Sequence, residues 1–214
     1  MPFYKVRAPN LPILGEVYSR EQATQLTNAL RLYFNRLDST FAELADPRGS
    51  SLLNSPCALY YSTVDQTAAA INTAYPFEFE NTYFENGMTI NGGSNSQITV
   101  DQAGIYNFQF TGMLQSGSAS AKDAWIWIRR NGTDIGYSGV PVTNDINNGQ
   151  TELNFSFMID LEANGYIEIM WATTDITLFF DAEAPSSPYP GHSSGVMAVT
   201  FVSNLEGFSI ATAP

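Results

Sequence analysis

Residues 105–114 read Ile105-Tyr106-Asn107-Phe108-Gln109-Phe110-Thr111-Gly112-Met113-Leu114. Tyr106, Phe108 and Phe110 fall on one side of an extended chain, and Asn107, Gln109 and Thr111 on the other. That period of two is the mark of a half-buried β-strand. Residues 153–161 repeat it, with Phe155, Phe157 and Ile159 alternating with Asn154, Ser156 and Met158. Working outward, strands are predicted at 58–63, 75–80, 88–91, 97–100, 123–130, 166–173, 176–180 and 196–202. Asn-Gly pairs at 86–87, 91–92, 131–132, 148–149 and 164–165 mark turns between them, because both residue types accept positive φ. Short strands, frequent turns and no intervening helix describe a sandwich or jelly-roll.

One strand departs from alternation. Ala124-Trp125-Ile126-Trp127-Ile128 is apolar on both faces. One face suits the sandwich core, and the other needs a second apolar neighbour. Cover by the strand's own loops and contact with another subunit are both open, and an intersubunit contact at Trp125 and Trp127 is preferred.

One helix is predicted at 19–45. Ser19 and Gln22 form a capping box, Glu21 sits in the first turn, and Asp46-Pro47-Arg48-Gly49 ends the segment. Ala23, Leu30, Leu37 and Leu44 recur every seven residues. Leu26, Tyr33 and Thr40 follow in the second register, with Phe34 and Phe41 one position on. A lone helix cannot bury such a stripe, so it must pack on the β domain or on sister copies. Sister copies are preferred because the spacing persists. Upstream, residues 1–18 contain Pro2, Pro9 and Pro12 and should be extended. The arm is apolar at Phe3, Tyr4, Val6, Leu11, Ile13 and Leu14. It either docks on its own assembly or anchors the chain to a different protein. Residues 49–57 read as a linker, 57–205 as the β domain and 206–214 as a tail.

The 214 residues carry a net charge of −12, with 9 Lys and Arg against 21 Asp and Glu, which argues against nucleic-acid binding. Charged residues are only 14% of the chain, so Asn, Ser, Thr and Gln must supply much of the polar surface. Cys57 is the only cysteine. It excludes an internal disulfide or a cysteine-rich zinc site, and reads as a small apolar core residue. The N-terminal stretch has no apolar region of the signal-peptide kind, and no stretch is long enough to span a bilayer. Synthesis in a cytoplasm without membrane insertion is expected.

Chemistry is sparse. His192 is the only histidine and lies in the Pro- and Ser-rich loop 181–194, beside Ser193 and Ser194, with no nucleophile-elbow motif nearby. No cofactor, no metal centre and no catalytic residue is expected. A calcium site at Asp181 and Glu183 is a weak option. Asp160, Glu162, Glu168 and Asp175 fall near strand ends, where charges are usually just solvated. Trp125, Trp127 and Trp171 lie in predicted strands and read as core or interface. Tyr137, Tyr189 and His192 are the better candidates for a ligand-facing loop, with a host surface glycan as the conceivable ligand.

Several segments together resemble the C1q/TNF-like jelly-roll superfamily. They are Tyr83-Phe84-Glu85-Asn86-Gly87, then Ile98-Thr99-Val100 leading to Ala103-Gly104-Ile105-Tyr106-Asn107-Phe108, and Trp127-Ile128-Arg129-Arg130-Asn131-Gly132. The later segments are 153–161, Asn164-Gly165-Tyr166-Ile167-Glu168-Ile169 and 196–205. The stretch 28–37 followed by such a domain looks like predicted proteins of tailed bacteriophages. The resemblance implies a mainly β, antiparallel jelly-roll that trimerises without catalysis. It has no collagen-like stem here; the arm and the helix take that place. The expectation is a virion structural protein of a phage: a homotrimeric capsid decoration (cement) or head-fibre protein. Its N-terminal segment would be held by a capsid, portal or tail protein. Leu26, Leu30, Tyr33, Leu37, Leu44, Trp125 and Trp127 are the expected trimer contacts. The alternative is a tail-fibre or receptor-binding module for host glycans.

Overall fold

The computed structural model describes residues 9–11, 19–45 and 55–204 except 92, 94, 119 and 146–148, and no side chain of residues 42–45. The arm positions Phe3, Tyr4, Val6, Ile13 and Leu14 lie outside these residues, as does the side chain of Leu44. Leu11 is exposed. The chain divides into two units, Met1–Asn54 and Ser55–Pro214.

The first unit contains α1, Arg20–Ala45. Ser19 caps it: its Oγ accepts the Gln22 backbone N–H at 3.5 Å, and its carbonyl accepts the Ala23 N–H at 3.1 Å. The helix spans about 39 Å at 1.5 Å per residue. None of its described side chains is fully buried. Leu26, Leu30, Tyr33 and Leu37 are half-buried, while Leu32, Phe34 and Phe41 are exposed. An apolar stripe is present, half-buried at Leu26, Leu30, Tyr33 and Leu37.

The second unit is built from antiparallel strands. In chain order they are β1 Cys57–Ser62, β2 Gln66–Thr67, β3 Tyr75–Pro76, β4 Asn81–Asn86, β5 Met88–Asn91, β6 Gln97–Val100 and β7 Gly104–Ser116. There follow β8 Lys122–Arg130, β9 Thr133–Asp134, β10 Val140–Asn144, β11 Gln150–Leu161, β12 Tyr166–Thr173, β13 Leu178–Phe180 and β14 Gly195–Ser203. They form two sheets. The first runs β2-β13-β7-β14-β1-β4, and β11 also pairs with β7. The second runs β10-β8-β12-β6-β5, with β3 beside β12 and β9 beside β8. From β6 onward the chain passes back and forth between the sheets: β7, β11 and β14 belong to the first, β8, β10 and β12 to the second.

The alternation at 105–114 extends over all of β7. Tyr106, Phe108, Phe110 and Leu114 are buried and their neighbours are not. Opposite rings complete the core. Phe77 meets Phe110 edge-on at 5.0 Å and Phe180 at 5.1 Å, and Trp171 meets Phe180 at 5.2 Å. Gly112 and Gly195 are cross-strand partners that make room for these rings. A Cβ on Gly195 would lie 2.5 Å from Phe77, and one on Gly112 would lie 2.7 Å from Phe180.

Three expectations need correction. The strand predicted at 75–80 pairs only at Tyr75–Pro76. Phe77 and Phe79 still point into the core, but their N–H groups donate to Ile169 and Asn95 separately, not along one ladder. Strands β4 and β10 were not anticipated. Nearly all of β4 is exposed, so it shows no alternation, and β10 carries Pro141, which an edge strand tolerates. Cys57 is half-buried on an outward row, because Ala58 and Tyr60 take the inward positions of β1.

Candidate interaction surface

The outward face of the first sheet can be read row by row from its register. One row is Asn86, Cys57, Thr200, Asn107 and Met158. The next is Phe84, Leu59, Ala198, Gln109 and Ser156. The third is Asn81, Tyr61, Val196, Thr111 and Asn154. These rows cross β4, β1, β14, β7 and β11 without one charged side chain, and none of their residues is fully buried. Carboxylates return only beyond them, at Glu152 and Asp160 of β11. In a chain with a net charge of −12 these rows stand out by carrying no charge.

The outward face of the second sheet is different. Asp123, Trp125, Trp127 and Arg129 alternate along β8, and Arg129 stands opposite Glu168 of β12. Trp125 is 49% exposed, opposite Pro141 and beside Gly139. Trp127 is half-buried, and its indole interacts with the Asp134 carboxylate. The Arg129 guanidinium, 2.8 Å from Asp134, and this indole hold the Asp134 carboxyl below the usual carboxylate range. The two tryptophans of the sequence argument therefore lie on a charged face, away from the charge-free rows.

Neither a protein-family model nor a curated protein sequence matches this chain.

Loop 181–194 folds back as a hairpin-like excursion. Glu183 and His192 exchange backbone hydrogen bonds at 3.0 Å, Ser186 and Tyr189 close the turn, and Gly191 adopts φ 79° on the returning arm. His192 Nε2 lies 3.4 Å from Asp181, 3.7 Å from Glu183 and 3.3 Å from the Gln150 amide. The Ser194 hydroxyl is buried and donates to the Ser62 carbonyl. Tyr189 and Tyr137 are exposed, and Tyr137 holds a positive φ of 62°. Among the described residues, no group of three or more His, Cys, Asp or Glu could hold a metal ion.

The carboxylates singled out earlier have structural partners. Asp160 pairs with Arg130 at 3.0 Å. Glu168 is buried and accepts the Ser96 hydroxyl at 3.0 Å. Lys122, 2.8 Å from Asp175, together with Thr177, holds the Asp175 carboxyl down to about 2. In the core, burial first and Asp101 second push the Tyr106 phenol up to about 12. Burial raises the Tyr60 phenol further, and Glu85 accepts its proton at 3.2 Å. The charge-free face was legible only in part: its β7 and β11 residues fall on the polar side of strands predicted from alternation, whereas Asn81, Phe84 and Asn86 lie on the unpredicted β4 and Cys57 was expected in the core. Which strands adjoin was not in the pattern.

Proposed function

We propose that this chain is a homotrimeric virion structural protein of a tailed phage, a head decoration or head-fibre subunit attached by its N-terminal segment. The observation that carries self-association is the uncharged face of the first sheet. The phage setting rests on the sequence resemblance. The strand order supports the finer jelly-roll reading, since the chain alternates between sheets after β6. Strands about 4.8 Å apart and rows about 7 Å apart make the face roughly 500 Å² on each copy. Around a threefold axis three such faces bury about 1,500 Å² in all, or about 500 Å² per pair of copies, below the ~1,000 Å² that a stable interface clears. The face alone is therefore marginal, and the helical stripe of α1 supplies the remainder.

Light scattering of the purified chain should give a trimer mass, and a mass-spectrometric inventory of purified virions should contain the chain. Removing residues 1–18 should leave the trimer and abolish incorporation into particles. Ala198→Asp puts a charge in the middle row and should shift the chain toward monomer, whereas Trp125→Ala should not. A monomer at micromolar concentration, or a trimer lost only on changing Trp125, would reject this interface. A second reading, host-glycan recognition by a tail protein, is favoured by the exposed Tyr137 and Tyr189; a glycan-array signal lost in Tyr189→Ala would support it.

A further inference from the structure

A cleft opens where β2 of the first sheet and β3 of the second face each other at one end of the sandwich. Asp65, Gln66, Tyr75, Glu78, Glu80 and Trp171 line most of its ≈ 340 Å³. Its walls are tied together by Gln66, whose amide donates to the Glu78 carbonyl at 2.6 Å and accepts the Glu78 N–H at 3.0 Å. Tyr75 is fixed by the Ala70 N–H, which its hydroxyl accepts at 2.8 Å. Asp65 is fixed by the Ala182 N–H at 2.9 Å. Burial opposes ionisation of Glu80, but hydrogen bonds led by the Thr63 backbone outweigh it and keep the carboxyl below its ordinary value.

Trp171 contributes to the lining although only 1% of the residue is exposed, and its Nε1–H has no hydrogen-bond partner. Among the described residues it is the one buried side-chain polar atom left so. Buried donors are nearly always satisfied, so an exception at a cleft asks for an acceptor. Glu80 already accepts from Thr63 and Asn81, and Asp65 from Ala182, so Glu78 is the carboxylate left to take donors; among the described residues no Lys, Arg or His lines the cleft. Anionic ligands are repelled by this set. A simple cation would answer the carboxylates and leave the indole N–H unpaired. A sugar ring brings hydroxyl donors, oxygen acceptors and a C–H face for Tyr75 in one body. The volume sits at the small end of the ~300–1,000 Å³ typical of ligand pockets.

We propose that this cleft binds one residue of a neutral saccharide, with Glu78 accepting hydroxyl protons and Trp171 donating to a sugar oxygen. This goes beyond the structural role, and the mass of the assembly does not bear on it. The test follows the indole N–H resonances of the ¹⁵N-labelled full chain during titration with glucose, galactose and N-acetylglucosamine to about 50 mM, which covers millimolar affinity. The Trp171 resonance is assigned by its loss in Trp171→Phe, and Trp125 and Trp127 serve as internal controls. At least one sugar should shift the Trp171 resonance saturably. The affinity should fall about tenfold or more in Glu78→Ala, as expected for losing a hydrogen bond to a charged group. The thermal midpoint of that variant should be unchanged because Glu78 is exposed. Silence from all three sugars overturns the proposal. So does an equal response to tetramethylammonium or calcium chloride, or a sugar response indifferent to Glu78→Ala.

Discussion

Gly195 illustrates how tightly single positions are held in this core. A methyl group there would meet Phe77 at 2.5 Å, and Phe77 is itself wedged between Phe110 and Phe180. Gly195→Ala should cost about 1–3 kcal/mol by overpacking, measured by urea denaturation. Gly136→Ala should stay within about 0.5 kcal/mol, since a Cβ there meets nothing within 4 Å. Equal effects would show that the ring cluster can yield. At Asp175 the depressed carboxyl makes the native state favour ionisation. Its contribution to stability is complete above the unfolded carboxylate range near 3.9. It is lost as pH falls from there through about 2. Lys122→Met should raise the Asp175 titration toward that ordinary value, read by carbon NMR of its carboxyl; an unmoved titration would assign the effect to Thr177 alone. For Tyr106 the sign is opposite. Its neutral phenol is favoured in the folded state, so the stabilisation is complete below the unfolded value near 10. It declines as pH rises toward about 12.

At the scale of elements, α1 and β8 answer the same question differently. Both carry large apolar side chains that are exposed among the described residues, Leu32, Phe34 and Phe41 in α1 and Trp125 in β8. In β8 the inward face is satisfied by the core, and Trp127 finds a local partner in Asp134, leaving Trp125 as the main exposed ring. In α1 no described side chain is fully buried, so its demand for a partner is larger. Leu30→Asp with Leu37→Asp should therefore lower the sedimentation coefficient while the β-sheet circular dichroism is retained. An unchanged coefficient would remove the helix from the assembly. The helix ends were plain in the sequence because capping is local: Ser19 reaches only to residues 22 and 23. Strand β4 was hidden for the opposite reason. Its pairing with β1 shifts register between Leu59 and Tyr60, which leaves Tyr83 without a partner there and destroys any period of two.

For the whole molecule, charge sets the terms of association. Copies of net charge −12 repel one another, and screening weakens that repulsion. Association should therefore strengthen between about 50 mM and 500 mM salt, where the Debye length shortens to a few ångströms, as followed by sedimentation equilibrium. Weaker association at high salt would point to ion pairs across the interface and against the uncharged face.

The sequence by itself determined the mainly β character, the helix and its cap, and most strand positions. All of these depend on neighbours a few residues apart. Only the tertiary structure decided the surface. Cys57 lies beside Thr200, Thr200 beside Asn107 and Asn107 beside Met158, so a single row joins segments far apart along the chain. The same holds for the cleft, where β2 and β3 are brought to Trp171 by two different sheets. Period and composition report which way a side chain points relative to its own strand. Strand pairing, set by long-range hydrogen bonds and core packing, decides which side chains become neighbours.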